Sequence, residues 1–422
     1  MDGKMRLCLV AAFATGVVVT LGLQSVTSSS TRRENLHRRN SRTTLRRLFQ
    51  AIGEDLVLRD NTMDRSKTPA PEGIESCIGN TPLFRIKSLS DATGCEILAK
   101  AEFLNGAGNS PKDRVALNII REAESQGLLT PYSGDMIYEG TVGSTGISLA
   151  AICRARGYLA HICMPDDQAT EKSDLLLKLG AEVERVRPAS IVDRNQFVNK
   201  ARARALEHTQ DPQRPGRGVF ADQFENEANW KAHFGGTGPE IFRQTEGTLD
   251  AFVSGAGTGG TISGVALFLK PRLPNLKVIL ADPQGSGLFN KIKYGVMFDP
   301  KEREGTRRRH QVDTIVEGIG INRVTINLEA GRGLIDDAIR VTDREALAMA
   351  RWLVEKDGIF AGSSSAVNCV AATRVAQKLG PGHRIVTVLC DSGTRHLSKF
   401  WAKAGSIGGN VDITLDNVLQ PQ

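Results

Sequence analysis

The chain has 422 residues, 40 % hydrophobic and 24 % charged, which excludes a disordered or collagen-like polymer and leaves room for two globular domains. Its formal charge of +7 belongs to the first 50 residues, where nine Lys/Arg face two Asp/Glu, while the other 372 hold 45 of each. A neutral body with 5 % aromatics excludes a dedicated nucleic-acid face, and the basic run TRRRH at 306–310 reads as a solvated loop. The seven cysteines (8, 77, 95, 153, 163, 369 and 390) show no CxxC pair and no zinc spacing, predicting reduced thiols and no metal.

In chain order, residues 7–23 carry no charge, enough for a short membrane span, with a signal peptide as competitor. Arg32, Arg33, Arg38, Arg39, Arg42, Arg46 and Arg47 follow it, and Lys4 and Arg6 precede it. The positive-inside rule then predicts a signal anchor with the body in the cytosol. Residues 1–70 are expected to form this transmembrane anchor and a basic linker, suited to the mitochondrial outer membrane. A mitochondrial matrix presequence or another intracellular membrane is the alternative.

Folded sequence is expected from about Ile74. EILAK (96–100) reads as a strand and KDRVALNIIREAESQG (112–127) as a helix stopped by glycine. MIYEG (136–140) is strand-like and runs through TVGSTG (141–146) into a helix ending at Gly157. LAHICMP, ATEKSDLLLKLG and AEVERV continue as strand, helix and strand. This spacing predicts βαβ units and a parallel sheet covered by helices. After a break at TQDPQRPGRG (209–218) the pattern resumes with LDAFVSG, a glycine loop and a helix. KVILADP and IVTVLCDSG read as further strands, and Thr342 and Glu345 stand in capping-box register before a helix.

The loop SGAGTGGTISG (254–264) has five glycines between a strand and a helix, a pattern that presents backbone N–H groups to an anion. Gly255, Gly257 and Gly260 match GxGxxG, but no ribose-binding acid follows and the P-loop lysine is missing. Pyridoxal phosphate has a phosphate and needs neither; it needs a lysine for its aldehyde. Lys112, behind Pro111 at a helix start, has its ammonium form disfavoured by the helix dipole.

Seven motifs in order carry a resemblance to the cysteine synthase/cystathionine β-synthase family of fold-type II pyridoxal-phosphate enzymes: IGNTPL (78–83), NSPKDR (109–114), DQFENEANWKAHFGGTGPEIF (222–242), GTGGT (257–261), EGIG (317–320), AGSSSA (361–366) and CDSGTRH (390–396). Among its members the chain is most similar to fungal, membrane-associated or mitochondrial cysteine synthase-like proteins. The resemblance implies two three-layer α/β domains with mostly parallel twisted sheets and the active site in the cleft between them. The smaller, 71–225, would carry the cofactor lysine and substrate loop, with a crossover of its first strands as the alternative, and the larger, 226–415, the phosphate loop. It further implies that Lys112 carries the Schiff base and is catalytic. Ser144, Gly257, Thr258, Gly259, Gly260, Thr261 and Ser364 would bind cofactor, and Thr141, Val142, Gly143, Thr145, Gln223 and Gly318 substrate. The implied reaction is β-replacement of O-acetyl-L-serine, or a similar activated serine, by sulfide through an aminoacrylate, in a homodimer.

One departure stands out. The family's substrate loop is usually TSGNTG, so Val142 replaces a hydroxyl and Ser144 an asparagine. Loss of a hydrogen bond to a charged group is worth about 1.5–3 kcal/mol. That leaves open a cystathionine β-synthase-like or serine/threonine dehydratase activity, or a membrane-tethered cofactor-binding protein with weak catalysis.

Overall fold

A computed structural model describes residues 72–298, 314–404 and 414–419. The apolar segment 7–23 and the basic run 306–310 lie outside these residues. The transmembrane assignment is corrected here: no described helix is long and apolar enough to cross a membrane. Even the 17-residue Ser363–Leu379 helix falls short of the roughly 20 apolar residues a bilayer requires, and its apolar side chains pack into the protein core.

The elements follow one another as β1 (Leu83–Arg85), α1 (Lys87–Thr93), β2 (Glu96–Ala101), α2 (Lys112–Ser125), β3 (Met136–Gly140), α3 (Ser144–Arg156), β4 (Leu159–Pro165), α4 (Thr170–Lys178), β5 (Glu182–Val186), α5 (Phe197–Gln210), β6 (Gly218–Phe220) and α6 (Ala228–Ala232). A wide turn leads to α7 (Gly238–Gln244), then β7 (Ala251–Gly255), α8 (Gly260–Leu269), β8 (Lys277–Pro283), α9 (Leu288–Tyr294), α10 (Ile326–Arg332), β9 (Asp337–Val341), α11 (Asp343–Asp357), α12 (Ser363–Leu379) and β10 (Arg384–Leu389). The glycine stops read from sequence are present: Gly127, at φ 68°, follows the C-cap of α2, and α3 ends on Gly157 at φ 76°, left-handed conformations that favour glycine. The Thr342–Glu345 capping box starts α11 as expected.

The strands form two sheets, β1-β2-β10-β7-β8-β9 and β5-β4-β3-β6. All pairs are parallel except β1–β2. The large sheet therefore takes its first two strands from before the small sheet and the rest from after it. Central strands such as β3 and β7 are buried throughout, as helices on both faces require. On one face of the large sheet pack α1, α11 and α12, on the other α7, α8, α9 and α10. The small sheet is covered by α2 and α3 on one side and α5 on the other. Segments following β3, β7 and β10 wall one cavity, at the carboxyl ends of strands from both sheets, where open α/β sheets place their ligands.

Candidate active site

Lys112 is the first residue of α2, after Pro111 at φ −61°. Its neighbours in the motif fix that helix. Asp113 accepts from the N–H groups of Gly108 (2.7 Å) and Ala107 (3.2 Å) and from the Ser148 hydroxyl. Arg114 makes paired bonds to Glu102, from Nε and Nη2 at 2.8 Å each, and to Glu240 at 2.7 and 2.8 Å. Lys100, fully buried on β2, closes the network on Glu240 at 2.6 Å. Burial opposes the charge on Glu240, yet Arg114 and Lys100 hold its carboxyl down at about 2. Lys112 has no such carboxylate partner among the described residues: burial pushes its ammonium below the usual lysine range, while Cys390, Asp391 and Glu102 pull the other way. A depressed lysine keeps more of its amine neutral and nucleophilic.

The cavity that Lys112 lines also takes Thr141, Val142, Ser144, Thr145, Gln223, Gly257, Thr258, Gly318 and Ser364 among the residues expected from sequence. Gly143, Gly259, Gly260 and Thr261 stand behind this wall, in backbone roles. A Cβ on Gly260 would lie 1.9 Å from Asn229 Oδ1, and one on Gly259, at φ 84°, would lie 2.5 Å from Leu328 Cβ. The Thr261 hydroxyl sits 3.2 Å from His233 Nε2. Gly257 itself has carbonyl oxygen of Gly318 2.3 Å from where a Cβ would be, so the glycine loop and the EGIG segment touch backbone to backbone.

The substrate loop is held mostly by its surroundings. Thr145 donates to Gln223 Oε1, and Gln223 in turn leans on Glu139 through its backbone N–H at 3.1 Å. Burial pushes the Glu139 carboxyl up to about 8, so it is mostly protonated at neutral pH. Val142 packs against the apolar cluster of Cys163, Val186, Phe197, Val198 and Ala201, a contact a hydroxyl would not make.

Four further charged residues line the same cavity, and sequence reasoning missed all of them: Lys172, Glu317, Asp391 and His396. Lys172 Nζ is 2.7 Å from Glu317 Oε2, His396 Nδ1 is 3.2 Å from the same oxygen, and Lys399 is 3.2 Å from Oε1. His396 Nε2 lies 3.1 Å from Asp391 Oδ2. Burial works against charge here too, but Lys172, His396 and Lys399 hold Glu317 far below the usual carboxylate range. Burial likewise disfavours the imidazolium, and Asp391 and Glu317 override it to hold the His396 pKa above the ordinary value. Glu317 and His396 were inside motifs already noticed, EGIG and CDSGTRH; their charges were the unread signal.

A second cavity of about 310 Å³ adjoins the first, sharing Val142, Phe224, Gly257, Glu317, Gly318 and Ile319 with it. Elsewhere, His161, Cys163 and Glu184 bring three ligand atoms within 4.8 Å of one another. Lys200 and Arg204 already occupy Glu184 at 2.9 and 3.0 Å, so the cluster is an ion-pair network between β4, β5 and α5.

Residues 74–391 match the family model described as "Pyridoxal-phosphate dependent enzyme". "Cysteine synthase 2" of Emericella nidulans is 65 % identical over 419 residues, covering 97 % of this chain and 96 % of the relative. A Saccharomyces cerevisiae protein named "Putative mitochondrial cysteine synthase" is 57 % identical over 354 residues, covering 83 % and 89 %. Among solved structures, an O-acetylserine dependent cystathionine beta-synthase from Helicobacter pylori superposes with a TM-score of 0.66 at 31 % identity, covering 78 % of this chain and 98 % of that one.

Proposed function

This chain belongs to the cysteine synthase/cystathionine β-synthase family of fold-type II pyridoxal-phosphate dependent enzymes and carries β-replacement chemistry akin to O-acetylserine sulfhydrylase; from that premise we propose that it forms L-cysteine from O-acetyl-L-serine and sulfide, with Lys112 as its central residue. One observation carries the assignment of the site: Lys112, Ser364, the head of the glycine loop and the substrate loop wall a single cavity.

The residues present fit the cofactor. The first turn of α8 has backbone N–H groups without intrahelical partners, in a loop whose glycines leave no room for side chains. Buried Asn229, beside this loop, donates through its side-chain amide to Thr258 Oγ1 at 2.9 Å and steadies that hydroxyl. Gly257, Thr258, Gly259, Gly260 and Thr261 would hold the phosphate, Lys112 the aldehyde carbon, Ser144 the ring oxygen and Ser364 the ring nitrogen. When bound, pyridoxal phosphate supplies an electron sink for the bonds at the substrate α-carbon.

The chain's own residues do the rest. Thr141, Val142, Gly143 and Thr145 would receive the substrate carboxylate at the N-terminus of α3, whose dipole favours an anion. Gln223 and Gly318 would close the sides. Lys112 Nζ would be the base available for the α-proton, and its depressed pKa suits that task near neutral pH. A neutral Ser364 hydroxyl, in place of a carboxylate, would hold no proton on the ring nitrogen and so would favour β-elimination over other carbanion chemistry.

A second reading keeps the same site and changes the acceptor to an amino-acid thiol, as in cystathionine β-synthase. The adjoining 310 Å³ cavity favours it, because sulfide needs no such space. The two readings separate when the purified, cofactor-loaded enzyme is given O-acetyl-L-serine with sulfide or with homocysteine. Faster cysteine formation upholds the first, and faster thioether formation the second.

We further propose a homodimer, which light scattering checks, and a mitochondrial location. The latter rests on the name of the yeast relative and on the Arg-rich, acidic-poor stretch 32–47, as in matrix presequences. Import into isolated mitochondria with protease protection is its test, and a protein left outside contradicts it.

A further inference from the structure

The substrate loop lacks the side-chain amide and hydroxyl usual in this family, and the structure shows what holds it instead. Lys172 leaves α4 on the small-sheet side, and its stem runs directly over Gly143: a Cβ there would lie 2.6 Å from Lys172 Cδ and 3.3 Å from Cγ. Gly143 sits at φ 140°, where a side chain is disfavoured, so the backbone of the loop is itself the surface on which the stem rests. The ammonium then crosses the cleft to Glu317 at 2.7 Å, with both side chains at least nine-tenths buried. Glu317 is fixed on the large-sheet side, where its own N–H donates to Ser363 Oγ at 3.0 Å, next to Ser364. The preceding residue crosses as well: Glu171 accepts from the Ser398 N–H at 2.7 Å and from its hydroxyl at 2.6 Å. No other charged side chain both touches the loop's glycine and reaches the opposite sheet among the contacts described.

We propose that Lys172, anchored by Glu317, is a positioning residue that holds loop 141–145 in the shape that receives the substrate carboxylate, in place of the side-chain contacts missing at Val142 and Ser144. This rests on the reading of the loop as the carboxylate site. The pair ties the carboxylate end of the site to the Ser363 hydroxyl on the large-sheet side, one residue before Ser364. Lys172→Met keeps the stem and removes the ammonium; Glu317 keeps His396 and Lys399 as partners and is not left bare.

The test titrates the cofactor-loaded enzyme, without sulfide, with O-acetyl-L-serine and with 2-aminoethyl acetate, which lacks the carboxylate, following the visible cofactor band. Lys172→Met is expected to raise the half-saturating O-acetyl-L-serine concentration by about tenfold or more, the loss of one charge-assisted contact, and to leave 2-aminoethyl acetate within about twofold. Lys172→Arg restores most of the difference. In the protein without cofactor, amide hydrogens at 141–146 exchange faster in Lys172→Met. Should that variant fail to fold, Glu317→Gln gives the same selective loss. Equal weakening for both compounds, or a lower melting temperature with unchanged half-saturation and exchange, overturns the proposal. A wild-type enzyme that does not respond to O-acetyl-L-serine at all overturns the substrate reading and not the brace, which the exchange measurement still decides.

Discussion

At the scale of single residues the site depends on which charges are neutralised and which are not. Arg114 and Lys112 are two positions apart on one helix, yet one is locked between two carboxylates and the other is left with a depressed pKa. Replacing Arg114 with Leu strands Glu102 and weakens Glu240 in the core, and is expected to cost about 3–5 kcal/mol, read as a shift in the urea midpoint. Glu139 shows the opposite case. Its folded pKa of about 8 lies above the value near 4.3 expected when unfolded. The folded state therefore holds that proton more tightly, and the stability it contributes is full below about pH 4.3 and lost as pH rises through 8. Glu139→Gln is expected to flatten the decline in melting temperature between pH 5 and 9; an unchanged profile would place the titration elsewhere. Lys112 and Ser364 were legible in the sequence because each stands in a compact motif. Lys172 stands outside every motif, and the charges of Glu317 and His396, though inside two of them, acquire meaning only when two sheets bring residues up to 224 positions apart to one cavity.

Among the elements, long periodic helices and fully apolar strands were readable: α2, α3, β3, β4, β7 and β8 fall where hydrophobic spacing and glycine stops put them. The three-residue strands β1 and β6 were not, since too few residues alternate to show a period, and they exist only through pairing with β2 and β3. β9, with Ala338 and Val341 buried and its other three residues half-buried, is an edge strand whose pattern DAIRV carries two charges. Helix starts follow the same logic of local chemistry. Thr342 caps α11 through the Glu345 N–H while Glu345 returns to the Thr342 N–H at 2.7 Å. Thr342→Ala is expected to cost about 1 kcal/mol in a thermal or urea melt, with substrate half-saturation unchanged, as α11 lies on the face of the large sheet away from the glycine-loop helix α8. A change in half-saturation would show that this helix reaches the cleft.

For the whole molecule, the chain's path explains why function needs both sheets. It begins in the large sheet, crosses to build the small one with the substrate loop, and returns to complete the large sheet with the glycine loop and the closing turn. The strand–turn–helix spacing announced the α/β class, but the antiparallel β1–β2 pair and the crossing are non-local and leave no trace in it. The cleft so formed is crossed by the buried Lys172–Glu317 ion pair and lined by Lys112 and Ser364. If this cavity performs β-replacement with Lys112 as its base, as proposed, cofactor-loaded wild type given O-acetyl-L-serine and sulfide forms cysteine, and Lys112→Ala, assayed alongside it, loses at least about a hundredfold in rate. Cysteine formed at the same rate by both, or by neither under conditions where the wild type binds the cofactor, would contradict the proposal.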